Sequence, residues 1–345
     1  MRLYAGVDLG KRKSQVKVIG EDRKVLEEIK IDNTPETFKR IFGKYGKRVD
    51  VACEATSNAF WIADLLEPIV HRVHVGDTKK IRWIAEARIK TDKIDAGILA
   101  ELLRADLFPE ICIPPKRIRE LRELVRGLAR LRRQGVRLRN QVHGILGRHG
   151  VLYERKKMAG KKLEALVGEA KLAVPVRTAA EVLLAVEQSV RQQGKILEKA
   201  ILGELEGEAE VSKTVDLLES IPGVGFFSAV LFVLELWDIR RFRDPSHLAS
   251  YIGLVPSTYQ TGQTEWHGRM TKQGNALLRW ILVQDAWMAA RKHPFFGKLY
   301  ERHRRRIGGT RAIVPVARML LGTIHRVWME GKTYEGVFGK KALVG

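Results

Sequence analysis

Arg2-Leu3-Tyr4-Ala5-Gly6-Val7-Asp8 is an apolar run that ends on a carboxylate and is followed by Gly10 and Lys11. It reads as a buried strand that delivers Asp8 to its end. Outward from it, residues 15–20 and 25–31 read as a second and a third strand. Thr34-Pro35-Glu36 is a helix start, with Thr as the cap and Pro in the first turn. Residues 49–53 form a short apolar strand ending at Glu54, followed by a helix from about Asn58, a strand over 70–75 and helical sequence over 77–105. Three strands in succession, then strands alternating with helices, is the order expected of an RNase H-like sheet. Residues 1–112 are therefore assigned to an α/β domain.

Pro109, Pro114 and Pro115 mark its boundary. Beyond them Leu121, Leu124, Leu128, Leu131, Leu138, Val142 and Ile145 recur at a 3-4 spacing, with Gly135 at the missing step. That is a heptad seam, expected of a long helix in a coiled coil or helical hairpin. A second run, Val176, Ala179, Leu183, Val186, Val190, Leu197 and Ala200, could return antiparallel to it. The segment Lys116–Arg148 carries eleven Lys/Arg and two Glu, a lopsided charge that favours phosphate contact. The expected architecture is α/β plus all-α. A basic helical or coiled-coil connector spans 113–211, a mainly helical C-terminal domain spans 212–335, and a tail spans 336–345.

The composition narrows the partners. The 345 residues are long for one core, and 45% hydrophobic with 30% charged residues excludes a disordered chain. Lys and Arg number 62 against 40 Asp and Glu, leaving +22. Such a surplus repels itself unless a polyanion neutralises it. Because it is spread through the chain and not gathered in one amphipathic tail, nucleic acid is favoured over an anionic membrane surface. Cys53 and Cys112 form no C-x-x-C pair, which fits a reducing compartment and argues against a disulfide framework or zinc ribbon. The N-terminus lacks the apolar core of a signal peptide, and the longest apolar stretch, 226–234, is interrupted by Ser228 and too short to span a bilayer. A soluble, cytoplasmic protein is expected.

Four carboxylates stand out in this basic chain. Asp8 and Glu54 each end an apolar strand, and Asp92 and Asp95 in Lys90-Thr91-Asp92-Lys93-Ile94-Asp95-Ala96 share one helix face. Singly, each has an ordinary reading: Asp8 could cap a turn, and Asp92 and Asp95 could face solvent beside Lys90 and Lys93. Their order is more specific. Hard divalent cations take oxygen ligands, and magnesium is held by a few carboxylates plus substrate phosphate. Two such ions about 3.5–4 Å apart stabilise both the attacking and the leaving oxygens of an in-line phosphoryl displacement. Without cations, four converging carboxylates repel one another. Magnesium, with manganese as a substitute, is therefore expected on Asp8, Glu54, Asp92 and Asp95. His71 and His74 lack any companion zinc-ligand set and read as ordinary strand residues.

Gly6-Val7-Asp8, Cys53-Glu54-Ala55-Thr56 and the block from Lys90 to Ala96 resemble the three motif blocks of the DEDD insertion-sequence transposases. That family includes the Piv-type DNA invertases and recombinases guided by a structured bridge RNA, and the similarity spans nearly the whole chain. It implies a RuvC-like N-terminal domain, magnesium-dependent cleavage and exchange of DNA strands, a guide RNA, and a homo-oligomer (dimer or tetramer) joined through the coiled coil. The guide RNA rests on the resemblance alone, since basic helices bind DNA and RNA alike and no RNA-binding module signature is present.

Farther on, Ile221-Pro222-Gly223-Val224-Gly225 between helical stretches resembles a helix-hairpin-helix. Such a turn can bring backbone N–H groups up to a phosphate, although a plain tight turn reads the same. Glycines, hydroxyls and cations from Tyr251 to Arg279 suit a loop that approaches a nucleic-acid backbone. Expected contacts are Gly223, Gly225, Arg269, Lys272 and Arg279, joined by Arg126, Arg130, Arg133 and Arg137 of the basic helix. The resemblance implies a transposase domain here, whose proposed nucleophile is a serine just before the glycine. This chain departs from that pattern with Thr261 in Tyr259-Gln260-Thr261-Gly262. Threonine keeps the hydroxyl chemistry, while its methyl narrows χ1 and crowds an in-line attack. Ser257 is a nearby but less well aligned alternative. Two rival functions stay open: a metal-dependent nuclease or Holliday-junction resolvase using activated water, and a non-catalytic nucleic-acid-binding protein.

Overall fold

The computed structural model describes residues 2–84, 92–155, 158–261 and 264–339, with the backbone alone for 92–94 and 258–269. The chain divides into two compact units, one up to Lys116 and one from Arg117 onward. In the first unit β1 (Leu3–Leu9), β2 (Lys13–Gly20) and β3 (Val25–Asp32) precede α1 (Pro35–Gly43). They are followed by β4 (Val49–Glu54), α2 (Ala59–Leu66), β5 (Arg72–Gly76), α3 (Thr78–Ile84) and α4 (Asp92–Arg104). The sheet order is β3-β2-β1-β4-β5. The first three strands are antiparallel neighbours, whereas β1–β4 and β4–β5 are parallel. Helix α1 begins as its sequence dictates, with the Thr34 hydroxyl accepting from the Thr37 N–H and Pro35 in the first turn.

The two faces of the sheet follow from the alternation of side chains along each strand. Leu3, Ala5, Val7 and Leu9 of β1 and Val49, Val51 and Cys53 of β4 lie in a core with Phe38 and Phe42 of α1 and Ile62 and Leu66 of α2. The alternate residues face α4. There Ala52 packs with Ile81, Leu99 and Leu102, and Gly6 lies against the α4 backbone at Ala96 and Ala100.

Among its described residues the second unit is helical apart from one hairpin. The long helices α5 (Lys116–Arg148) and α7 (Val174–Glu206) flank a short α6 (Lys161–Glu169). Next come α8 (Ala209–Glu219), α9 (Phe226–Leu236) and α10 (Pro245–Ile252), then β6 (Pro256–Thr261) paired with β7 (Thr264–Met270). The unit closes with α11 (Ala276–Lys292), α12 (Pro294–Ile307), α13 (Gly309–Glu330) and α14 (Tyr334–Phe338). Helix α9 is buried from Phe227 to Leu236 and forms the hub of the core. Among the described residues no helix is long and apolar enough to cross a membrane.

Helices α5 and α7 run antiparallel. Arg117 pairs with Glu204 and Glu208 near one end, Arg132 with Glu198 and Arg139 with Glu187 farther along. On α5, Leu121, Leu128, Gly135 and Val142 are buried on the expected heptad step. On α7 the seam is shifted by one residue: Ala180, Leu184, Glu187, Gly194, Ile201 and Leu205 are buried, while Val186 is 42% exposed. The shift arises because the buried row includes Glu187, held by Arg139 and Arg191, a position an apolar pattern does not register. Leu121, Val125 and Leu128 of α5 and Ile201 and Leu205 of α7 share one core with the helices from α8 onward. The expected connector is thus continuous with the C-terminal helices.

Candidate functional site

The first unit places the expected carboxylates at one end of its sheet. Asp8 on β1 and Glu54 on β4 each stand one residue beyond the parallel pair Val7–Cys53, so they end adjacent strands. Both fall on the alternation that carries Gly6 and Ala52, which is the face covered by α4. Helix α4 begins at Asp92 and carries Asp95 one turn on. Glu54 and Asp95 line one cavity of about 40 Å³ together with Thr78 and Arg82 of α3. The backbone around the strand ends is tied down. Asn33 and Asn58 both donate from Nδ2 to the Gly10 carbonyl, at 2.8 and 3.1 Å. The Ala55 N–H donates to the Gly76 carbonyl at 3.0 Å. Gly76 has no room for a side chain, since a Cβ there would lie 2.5 Å from the Phe108 ring and 2.6 Å from Ile81.

Not every expected element closes. Among the described residues no three His, Cys, Asp or Glu side chains form a group that could hold a metal. The Asp92 side chain lies outside the described residues, so the fourth carboxylate is placed only by its position on α4. The donor set fits hard cations all the same: it consists of carboxylate oxygens at two strand ends and one helix start, and the cavity shared by Glu54 and Asp95 has room for a water-sized guest. Cys53, beside Glu54, points into the opposite core, where burial and then the Glu54 charge push its thiol up to about 12. His71 and His74 are engaged elsewhere, with Asp50 at 2.6 Å and Glu110 at 3.3 Å. Thr78 and Arg82 were missed in the sequence. Their i,i+4 spacing on one helix face was the available signal.

In the second unit, the segment from Pro256 to Met270 is a β-hairpin and not the expected loop. Thr258, Tyr259, Thr261, Thr264 and Trp266 are β-branched or aromatic and favour strands, and that preference outweighs the glycines nearby. Thr261 is the last residue of β6 and pairs with Thr264. Its side chain, that of Arg269 and all of Gly262 lie outside the described residues. Ser257 lies on the same strand.

The turn from α8 to α9 has the expected helix–turn–helix order, but Gly223 serves packing. Its φ is +92°, and a Cβ would come within 2.5 Å of the Ala289 nitrogen on α11. The close approach is to the protein's own backbone, a packing role for this glycine. Gly225, the N-cap of α9, has open space around it.

Two of the expected cation contacts have partners within the fold. Arg126 grips the buried Glu235 carboxylate in a two-pronged pair, Nε at 2.6 Å and Nη2 at 3.0 Å. Asn275, the cap of α11, donates to the same carboxylate at 2.9 Å. Arg279 donates to the Ile252 carbonyl at 2.6 Å. Arg126 thus engages Nε and Nη2, and Arg279 one of its five donors, within the fold. Lys272 is exposed with φ +52°, and Arg130, Arg133 and Arg137 are exposed on α5. Arg122, not expected to matter, is buried and donates to the carbonyls of Leu234 and Glu235 at the end of α9.

A five-stranded mixed sheet with carboxylates at neighbouring strand ends, followed in the chain by a basic helical unit, describes a broad class of two-unit proteins. Comparison with known proteins narrows that class. An IS110-type DEDD family model described as a transposase matches residues 5–150, and one described as the transposase IS116/IS110/IS902 family matches 215–301. A protein described as a probable family 20 transposase of Pseudomonas aeruginosa is 26% identical, over 81% of this chain and 82% of its own length. The transposase for insertion sequence element IS1328 of Yersinia enterocolitica is 26% identical over 68% of this chain and 69% of its own. The transposase for IS1111A of Coxiella burnetii is 34% identical over a shorter stretch, 24% of this chain and 23% of its own. The chain belongs with the DEDD-type insertion-sequence transposases.

Proposed function

We propose that this chain cuts and rejoins DNA at the ends of an insertion sequence, with Asp8, Glu54, Asp92 and Asp95 holding magnesium or manganese and Thr261 as the nucleophile. The observation that carries the reading is the adjacency of Asp8 and Glu54 at the ends of parallel strands, on the face covered by the helix that bears Asp92 and Asp95. The order β3-β2-β1-β4-β5 supports an RNase H- or RuvC-like assignment for this unit. The bound cations would lower the charge on the phosphate and steady the oxygens that enter and leave. The carboxylates would hold them in place, and the narrow fit of Gly6 under α4 would keep the helix-borne pair near the strand-borne pair.

In the covalent step the Thr261 hydroxyl oxygen bonds to the scissile phosphorus and gives up its proton. The bond from phosphorus to a deoxyribose oxygen breaks, and that oxygen leaves as a hydroxyl after taking up a proton. One DNA end is then held as a phosphothreonyl ester, and the reverse step on a second end restores a phosphodiester. Asp8 belongs to the first unit and Thr261 to the second, and the resemblance implies an oligomer of the chain. A structured guide RNA is the further partner that the resemblance implies.

The test is to trap denaturant-resistant protein–DNA adducts with DNA from the ends flanking the gene. Thr261→Ala is expected to abolish adducts and retain DNA binding. Adducts that persist would eliminate Thr261 as the nucleophile, and nicked products without adducts in the unaltered chain would favour water-activated hydrolysis. Sequencing RNA that co-purifies from the host tests the guide: one homogeneous species encoded beside the gene is expected, and random fragments count against it.

A further inference from the structure

Two sets of arginines on α5 differ in how they are partnered. Arg117, Arg126, Arg132 and Arg139 pair with Glu204 and Glu208, Glu235, Glu198 and Glu187, so the fold neutralises them itself. Arg133, Arg137 and Arg148 instead line an open groove of about 920 Å³ whose walls, among the described residues, carry no carboxylate. Arg133, Arg137, Asn140, Gly144 and Arg148 recur at three- and four-residue steps, so they form one stripe. Arg133 and Arg148 are about 22 Å apart along the helix axis.

The groove also has an aromatic wall. Trp280 of α11 packs on the core of the unit and presents its indole to the groove, with the Arg133 guanidinium 5.9 Å from the ring centroid. Beside it stand the amides of Asn140 and Gln284. A row of unneutralised guanidinium groups suits a phosphate backbone. An anchored indole suits the face of a base, and neighbouring amides suit its hydrogen-bonding edge. Duplex DNA keeps its base faces stacked inside, so it could use the arginines but not the indole. The volume is that of a ligand pocket and can admit a splayed nucleotide.

We propose that this groove binds an unpaired stretch of nucleic acid, with a base stacked on Trp280 and the adjoining phosphates on Arg133, Arg137 and Arg148. It rests on the reading that the chain works on nucleic acid and is independent of the metal chemistry.

The test uses the full chain and fluorescence anisotropy with labelled DNA and RNA single strands of about ten nucleotides, beside a duplex of the same length. Trp280→Ala is expected to weaken single-strand binding by roughly ten-fold or more, with Trp280→Phe retaining most of it. Duplex affinity should stay within about two-fold, since a duplex keeps its base faces inside and offers none to the indole. Joint Arg137→Gln and Arg148→Gln should reduce the salt slope for the single strand by about 0.7 per lost phosphate contact. A preference for DNA or for RNA identifies which strand occupies the groove, and either supports the proposal. Equal losses on single strand and duplex in the Trp280 variants would overturn it, as would unchanged single-strand binding in Trp280→Ala and the double Gln variant. Loss of metal-dependent cleavage with a Trp280-dependent single-strand preference intact would sink the catalytic reading and leave this one standing.

Discussion

Gly6 of β1 lies directly beneath Ala96 of α4: a Cβ on Gly6 would come 2.6 Å from the Ala100 nitrogen and closer still to the Ala96 carbonyl. Both obstacles are backbone, so neither can swing aside. Asp8 is two residues along the strand on the same face, and Asp95 precedes Ala96. The spacing between the strand-borne and helix-borne carboxylates therefore depends on the absence of a side chain at position 6. Gly6→Ala is expected to lift α4, cost about 1–3 kcal/mol in unfolding free energy and reduce metal-dependent cleavage. Gly43→Ala, where no atom lies within 4 Å, is the control and should be neutral to slightly stabilising. Equal melting temperatures for Gly6→Ala and the unaltered chain would contradict the packing account.

Asp285 predicts a pH dependence. It is 4% exposed, accepts a 2.7 Å hydrogen bond from the Ser228 hydroxyl on Oδ1, and leaves Oδ2 without a partner. Burial pushes its carboxyl up to about 7, against a smaller opposing effect of Ser228. The folded chain thus keeps a proton that the unfolded chain releases near pH 4. Its contribution is fully present below about pH 4 and is lost as pH rises through about 7, a change on the order of 4 kcal/mol. Thermal melts should show stability falling across that window, and Asp285→Asn should flatten the fall. An identical pH slope in the variant would refute the assignment.

Arg126 and Arg137 should behave differently although both lie on the basic helix. Arg126 is committed to buried Glu235, so Arg126→Gln should cost about 3–5 kcal/mol. Joint Glu235→Gln should recover part of that loss, and the salt slope of DNA binding should be unchanged. Arg137→Gln should leave stability within about 0.5 kcal/mol and lower the slope by about 0.9 for a duplex phosphate contact. The reverse pattern would show that the two guanidinium roles are misassigned.

These two arginines mark a boundary in what the sequence discloses. Strand ends, caps and the order of the first unit are local properties: the apolar run before Asp8 and the Thr34-Pro35 start lie in windows of a few residues, and the structure places both where they were expected. The partner of Arg126 is 109 residues away, so the composition of α5 cannot separate a committed guanidinium from a free one. The same reasoning applies to α7, where Glu187 and Gly194 occupy seam positions that only the facing helix explains. Gly223 could be recognised as a turn glycine, but the backbone it approaches belongs to α11. The hairpin carrying Thr261 was obscured because its glycines and hydroxyls suit a loop as well as a strand.

The carboxylate site is tested most directly by strand cleavage on DNA carrying the ends that flank the gene, measured with magnesium, with a chelator, and with Asp8→Asn, the binding of each chain to the same DNA being followed in parallel. Cleavage is expected only with the metal and the unaltered chain, and Asp8→Asn should lower it by at least about a hundred-fold while DNA binding persists. Cleavage that survives in the chelator, or in Asp8→Asn at the unaltered rate, would contradict the assignment of phosphoryl chemistry to Asp8, Glu54, Asp92 and Asp95.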